Sequence, residues 1–129
     1  MKPEEQFEKV LTEYTPLFNC EYIKIPDPIK AKGNMIKTRK GYTMIAEKRP
    51  FDGILVTPNF NWCIECKYNY NPLKKHQKDY KKKVERVNEG YLVLRKKENK
   101  KTVYRVEWLG KKQDFEGIPE MIEFIKGLK

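Results

Sequence analysis

The chain has 129 residues, a length that points to one domain with a core large enough to fold without disulfide staples. Its 28 Lys and Arg against 18 Asp and Glu give a formal charge of +10, which calls for an anionic partner, nucleic acid ahead of an anionic membrane. Eight Tyr, six Phe and two Trp exclude a disordered basic tail, and no run approaches the ~20 apolar residues of a membrane span.

From Pro3 to about Leu17, Phe7, Val10, Leu11 and Tyr14 recur at helical spacing behind a proline and acids suited to a first turn. Cys20 to Ile25 alternates as a short strand and is stopped by Pro26 and Pro28. Residues 26–42 hold Lys30, Lys32, Lys37, Arg39 and Lys40 without apolar periodicity, so a mobile basic loop able to touch phosphates is expected there. Tyr42 to Ala46 is an optional extended segment. Phe51–Val56 and Asn61–Lys67, joined by the turn Thr57-Pro58-Asn59, predict a hairpin.

Asn71-Pro72 offers an N-cap and first helical residue, and Leu73, Gln77, Tyr80, Val84 and Val87 continue a helix towards Gly90. Tyr91–Leu94 predicts a buried strand, 95–101 a charged turn, 102–108 an edge strand, and Met121, Ile122, Phe124, Ile125 and Leu128 a last amphipathic helix. The outline is an α/β domain over residues 1–129, with a central mixed sheet of about five strands flanked by helices.

Asp52 and Glu65 lie on consecutive predicted strands, close enough across a sheet for two carboxylates to share a cation. Strand alternation puts Glu65 and Lys67 on one face and turns the Cys66 side chain away. Each residue also has a plainer reading. Asp52 can be a turn aspartate, Glu65 and Lys67 a surface ion pair, Glu8 a first-turn acid with Glu5 as its rival, and Gln77 an ordinary helix residue.

Lysines 74, 75, 78, 81, 82 and 83, opposed only by Asp79, are a concentrated field for phosphate contact or a solvated helix face. His76 is expected to face solvent, and Tyr68 and Tyr70 to pack. Cys63 and Cys66 fall on opposite faces of a strand, and no spacing to Cys20 or His76 makes a zinc finger. Three free cysteines suit a reducing compartment, and Met1–Glu5 lacks a signal peptide's apolar stretch, so a cytoplasmic location at the nucleoid is expected.

The string Arg49-Pro-Phe-Asp52-Gly-Ile, then Trp62-Cys-Ile-Glu65-Cys-Lys67, then His76-Gln77 in a following helix resembles the PD-(D/E)XK nuclease superfamily. With Phe7-Glu8 in a first helix and Gly-Tyr-Leu-Val-Leu at 90–94, it is most similar to the small Holliday junction resolvases of archaea, phages and Gram-positive bacteria. The resemblance implies a restriction-endonuclease-like core and a Mg2+-dependent endonuclease, with Mn2+ as a substitute, cutting four-way DNA junctions as a homodimer.

Residue by residue, the resemblance makes Asp52, Glu65 and the Cys66 carbonyl metal ligands, with Glu8 joining directly or through water. It gives Lys67 the water or the transition state, and Gln77 a supporting place. DNA contacts are expected from Lys37, Arg39, Lys40, Arg49, Lys74, Lys75 and Lys78. Phe51 stands where the family's motif has proline, and no long stalk is apparent, which tilts the likeness to the compact archaeal or phage type. A nuclease of another role (repair, flap or restriction-type) and a non-catalytic DNA-binding module are the rivals.

Overall fold

The computed structural model describes residues 1–26, 35–38, 41–44, 49, 51–88 and 90–128. Helix α1 (Pro3–Tyr14) starts on Pro3 after an extended Lys2 and carries Glu4 and Glu5 in its first turn, where acids suit the helix dipole. A 3-10 turn (Thr15–Phe18) leads into β1 (Glu21–Lys24), and the buried Thr15 hydroxyl accepts the Tyr22 amide at 3.1 Å.

Two short strands, β2 (Met35–Thr38) and β3 (Gly41–Met44), pair antiparallel as a separate hairpin. Within the loop expected at 26–42, residues 35–38 and 41–42 are therefore strand, since backbone ladder bonds form without the apolar alternation that was sought in the sequence, while 27–34 and 39–40 lie outside the described residues. Lys37 falls on β2, whereas Lys30, Lys32, Arg39 and Lys40 lie outside the described residues.

β4 (Gly53–Val56) and β5 (Asn61–Tyr68) form the expected antiparallel hairpin, with Gly53 opposite Ile64 and Val56 opposite Asn61. After α2 (Lys75–Val87) the chain returns to β6 (Tyr91–Glu98), parallel to β5, and continues antiparallel through β7 (Thr102–Trp108) and β8 (Lys111–Phe115) to α3 (Ile118–Lys126). The main sheet has six strands in the order β1-β4-β5-β6-β7-β8.

The sixth strand corrects the count of about five and makes β7 an inner strand. Leu109 and Gly110 both take positive φ, 46° and 74°, in a two-residue turn that a leucine does not advertise. The strand after it is a charged edge without alternation, a common protection against edge-to-edge pairing. β6 likewise runs through the expected charged turn, because Arg95 and Lys97 sit on a polar strand face and Arg95 pairs with Glu107 of β7 at 2.7 Å.

The core lies between the sheet and the pair α1 and α3. Leu55, Trp62, Ile64, Cys66, Leu92, Leu94 and Val106 meet Phe7 and Leu11 of α1 and Met121, Ile122 and Ile125 of α3. Each large apolar side chain removed from water here contributes roughly 2 kcal/mol, so the apolar stripe of α3 is spent within its own chain. α2 lies on the opposite face, where Phe51 meets Tyr80 and Tyr91 edge-on. No helix among the described residues is long and apolar enough to cross a membrane.

α2 begins later than Asn71-Pro72 would place it. Arg95 donates to the carbonyls of Asn69 and Asn71, at 2.9 and 2.7 Å, and ties that segment to β6. The helix starts only where Gln77 can accept the Lys74 amide at 2.8 Å.

Gly53 is fixed by space. A Cβ there would stand 2.6 Å from the Ile23 carbonyl and from the Tyr22 ring and hydroxyl. Gly53→Ala should cost about 1–3 kcal/mol and lower Tm by on the order of 5–10 °C. Thermal unfolding followed by circular dichroism checks this, and an unchanged Tm would mean Tyr22 does not pack over Gly53.

Candidate active site

The ladder between β4 and β5 stops at Gly53 and Ile64, while β5 runs on for another four residues beside β6. At this fork the Cys66 amide has no β4 backbone opposite it, and Asp52 Oδ2 accepts its hydrogen at 2.7 Å. Asp52 is fixed from its other oxygen by Arg49, whose Nη2 donates to Oδ1 at 2.7 Å while Nη1 donates to the Ile25 carbonyl at 2.9 Å. Arg49, expected on DNA, is thus engaged with the aspartate, three residues along the chain.

Glu65 follows the alternation of β5 onto the α2 face. Gln77 Nε2 donates to Glu65 Oε1 at 2.6 Å, and Lys67 Nζ lies 3.5 Å from the same oxygen. Gln77 therefore both closes the start of α2 and fixes a carboxylate. Glu8 enters from the core face on α1, where the Tyr22 hydroxyl donates to Oε1 at 2.5 Å and Lys24 Nζ lies 3.5 Å from Oε2. Between Glu5 and Glu8, the helix buries Glu8 and leaves Glu5 half-buried at the rim.

Glu8, Arg49, Asp52, Glu65, Lys67 and Gln77 line one cleft of about 920 Å3, with Glu4, Glu5, Lys2, Lys24 and Lys74 around them. Only 4% of Glu8, 7% of Asp52, 2% of Glu65 and 4% of Lys67 is exposed. Burial raises all three carboxylates above their ordinary range. For Asp52 the Cys66 amide and Arg49 oppose the rise. Glu65 is pushed up to about 8 by burial and by Asp52, against the pull of Lys67.

Three buried acids want a counter-charge, and among the described residues Glu8 and Asp52, with Cys66, stand close enough to share an ion, whereas Glu65 lies outside that group. Glu65 Oε2 is buried with no hydrogen-bond partner among the described residues, an acceptor left open. The ligand atoms of Glu8, Asp52 and Cys66 lie within 4.8 Å of one another, so this group could hold a metal ion. Burial pushes the Cys66 thiol well up, and a hard ion takes the carboxylate oxygens in preference to sulfur. The resemblance names the Cys66 carbonyl, whereas the amide and the thiol are the Cys66 groups seen beside the carboxylates.

Sequence reasoning missed Tyr22 and Lys24. Both sit on an ordinary alternating strand, and only the absence of a side chain at Gly53 opens the path from Tyr22 to Glu8. Of the other expected contacts, Lys74 lines the cleft and Lys75 and Lys78 are exposed on α2. His76 is half-buried rather than solvent-facing. Tyr68 donates to Glu98 at 2.7 Å, and Tyr70 does not pack but stands 77% exposed. Cys63 is half-buried and Cys66 buried, as opposite strand faces require.

No protein-family model matches the chain, and no curated protein matches its sequence.

The raised carboxylates set a pH dependence. Without metal, the folded chain keeps on Glu65 a proton that the unfolded chain releases near 4.5, so stability present below that pH is lost as the pH rises towards about 8. A Tm fall on the order of 10 °C across that window is expected, largely abolished in Glu65→Gln and reversed by a divalent cation at pH 8. Thermal melts in EDTA and in Mn2+ measure both effects. A Tm that rises with pH in EDTA would contradict the buried cluster.

Proposed function

We propose that this chain is a divalent-cation-dependent DNA endonuclease of the PD-(D/E)XK type, acting on four-way junctions as a homodimeric Holliday junction resolvase. The observation that carries the reading is the meeting of Asp52, Glu65, Lys67 and Gln77, from the β4 start, β5 and α2, around buried carboxylates in one cleft. A restriction-endonuclease-like core belongs to the same reading, supported by the β4–β5 hairpin followed through α2 by the parallel strand β6. The formal charge of +10 supports a polyanionic substrate. A symmetric junction needs two opposed cuts, which a two-fold pair of identical sites supplies.

Asp52, Glu65 and Glu8 are the residues that would hold Mg2+, or Mn2+ in its place, through oxygen. When bound there, such an ion supplies Lewis acidity to the scissile phosphate and makes water a nucleophile near neutral pH. The chain's own residues do the rest. Arg49 and the Cys66 amide hold Asp52 in one rotamer, Gln77 does the same for Glu65, and Tyr22 for Glu8. Lys67 places a cation inside the cleft where negative charge grows on the phosphate as water attacks phosphorus. As the new P–O bond to water forms, the P–O3′ bond opposite it breaks, leaving a 5′-phosphate on one side of the nick and a 3′-hydroxyl on the other.

Incubating the protein with a labelled four-way junction, a linear duplex and a single strand, in Mg2+ or in EDTA, tests the reading. Paired symmetric nicks near the branch point are expected only with Mg2+. Asp52→Asn and Glu65→Gln should lower cleavage by on the order of 10²-fold or more while junction binding persists or tightens, because a buried negative charge has been removed. Equal cutting of all three substrates would leave a nuclease of another role. A fully active Asp52→Asn protein, or binding without cleavage, would overturn the proposal.

A further inference from the structure

A second groove, of about 450 Å3, lies beyond the cleft and is lined by Tyr70, Lys81, Arg105, Trp108, Lys111 and Lys112 among others. Cys66, Leu94 and Val106 face the core, so their neighbours Lys67, Arg95 and Arg105 point to the side on which Glu65 meets Gln77. Lys67 is paired with Arg95, and Arg95 with Arg105, across β5, β6 and β7. One row of cations therefore leads from the cleft to the groove over two strand spacings, roughly 10 Å. The end of β5 and the segment after it border both spaces, with Tyr68, Asn71 and Pro72 on the cleft and Tyr70 on the groove.

The cations of the groove divide in two. Arg95 is taken up by Glu107, and Arg105 by Asp114 at 2.6 Å, so both serve the sheet. None of the ion pairs of the described residues involves Lys81, Lys111 or Lys112. Tyr70 adds an aromatic ring steadied by Lys97, whose Nζ stands 4.8 Å from its centroid, yet the residue is 77% exposed. An exposed aromatic among lysines outside these ion pairs has the make-up of a stacking platform on a phosphate track, with Glu107 also on the groove wall and Lys112 opposite it in the β7–β8 ladder.

We propose that this groove binds an unpaired segment of the DNA substrate, its phosphates on Lys81, Lys111 and Lys112 and a base stacked on Tyr70. A single strand fits better than duplex because the bases of a duplex are already stacked on one another and offer Tyr70 no free face. The proposal takes its partner, DNA, from the nuclease reading, but the binding it describes needs neither metal nor cleavage.

The test is binding in EDTA to a duplex carrying a single-stranded tail and to the same duplex blunt, across a salt series. The combined variant Lys81→Ala, Lys111→Ala, Lys112→Ala should lower the salt-dependence slope on the tailed duplex by about 2, at ~0.7 per lost single-strand contact. Tyr70→Ala should weaken the tailed duplex on the order of tenfold and leave the blunt one unchanged. Lys9→Ala, an exposed lysine on α1, should leave preference for the tail unchanged. Circular dichroism melts check that each variant is folded.

Unchanged slope and tail preference in folded variants would overturn the groove. So would polyglutamate bound as tightly as the tailed duplex and lost in the same triple variant, which would reassign the groove to an acidic protein. Groove-dependent binding by a protein that cuts nothing in Mg2+ would keep the groove and remove the nuclease. Junction cleavage with normal tail binding by the groove variants would do the reverse.

Discussion

A strand that outruns its neighbour leaves backbone amides that must find another acceptor, and in this molecule the acceptor is a carboxylate. β5 continues past the last β4 pair, and Asp52 Oδ2 takes the Cys66 amide that the ladder no longer reaches. A buried N–H left unpaired would cost roughly 1–3 kcal/mol, so the fork itself holds Asp52 inside the protein. Once a carboxylate is held there, its neighbours are constrained in turn. Arg49 is drawn onto its free oxygen, and Gly53 must stay bare so that Tyr22 can pass to Glu8.

The acids arrive from opposite sides of the sheet. α1 brings Glu8 over the core face, while the alternation of β5 puts Glu65 on the face that α2 covers. The fork at the start of β4 is where the two faces communicate, which is why Asp52 raises the proton affinity of both its neighbours. The hydrogen bonds around the cluster orient the carboxylates more than they neutralise them. Such a site favours either a bound proton or a bound cation, and the choice between them links stability, pH and metal.

Much of this was legible in the chain. The helical spacings of Phe7 and Leu11 and of Met121, Ile122 and Ile125 marked α1 and α3, and the turn at 57–59 marked the β4–β5 hairpin. Strand alternation was enough to put Glu65 with Lys67 and to turn Cys66 to the other face, but not to show that its thiol would there meet Glu8 and Asp52. The misses share a cause, which is that each depends on a partner distant in sequence. Arg49 looks like one more basic residue until Asp52 and the Ile25 carbonyl are beside it. The late start of α2 depends on Arg95, which lies more than twenty residues on. β8 follows a turn in which Leu109 adopts a backbone conformation its side chain does not favour.

By itself the sequence determined the periods, the charge and the order of the chemical groups: an α/β chain, strongly basic, with Asp52, Glu65, Lys67 and Gln77 in succession. Those are local properties, set by alternation along a strand, spacing along a helix and the count of ionised side chains. Tertiary structure decided which groups lost their water. Burial raised the carboxylates, the packing of α1 chose Glu8 over Glu5, the fork bound Arg49 to Asp52, and the row Lys67, Arg95, Arg105 emerged only when three strands came into register. Desolvation and cross-strand register are properties of packed neighbours, and no window of the sequence contains them.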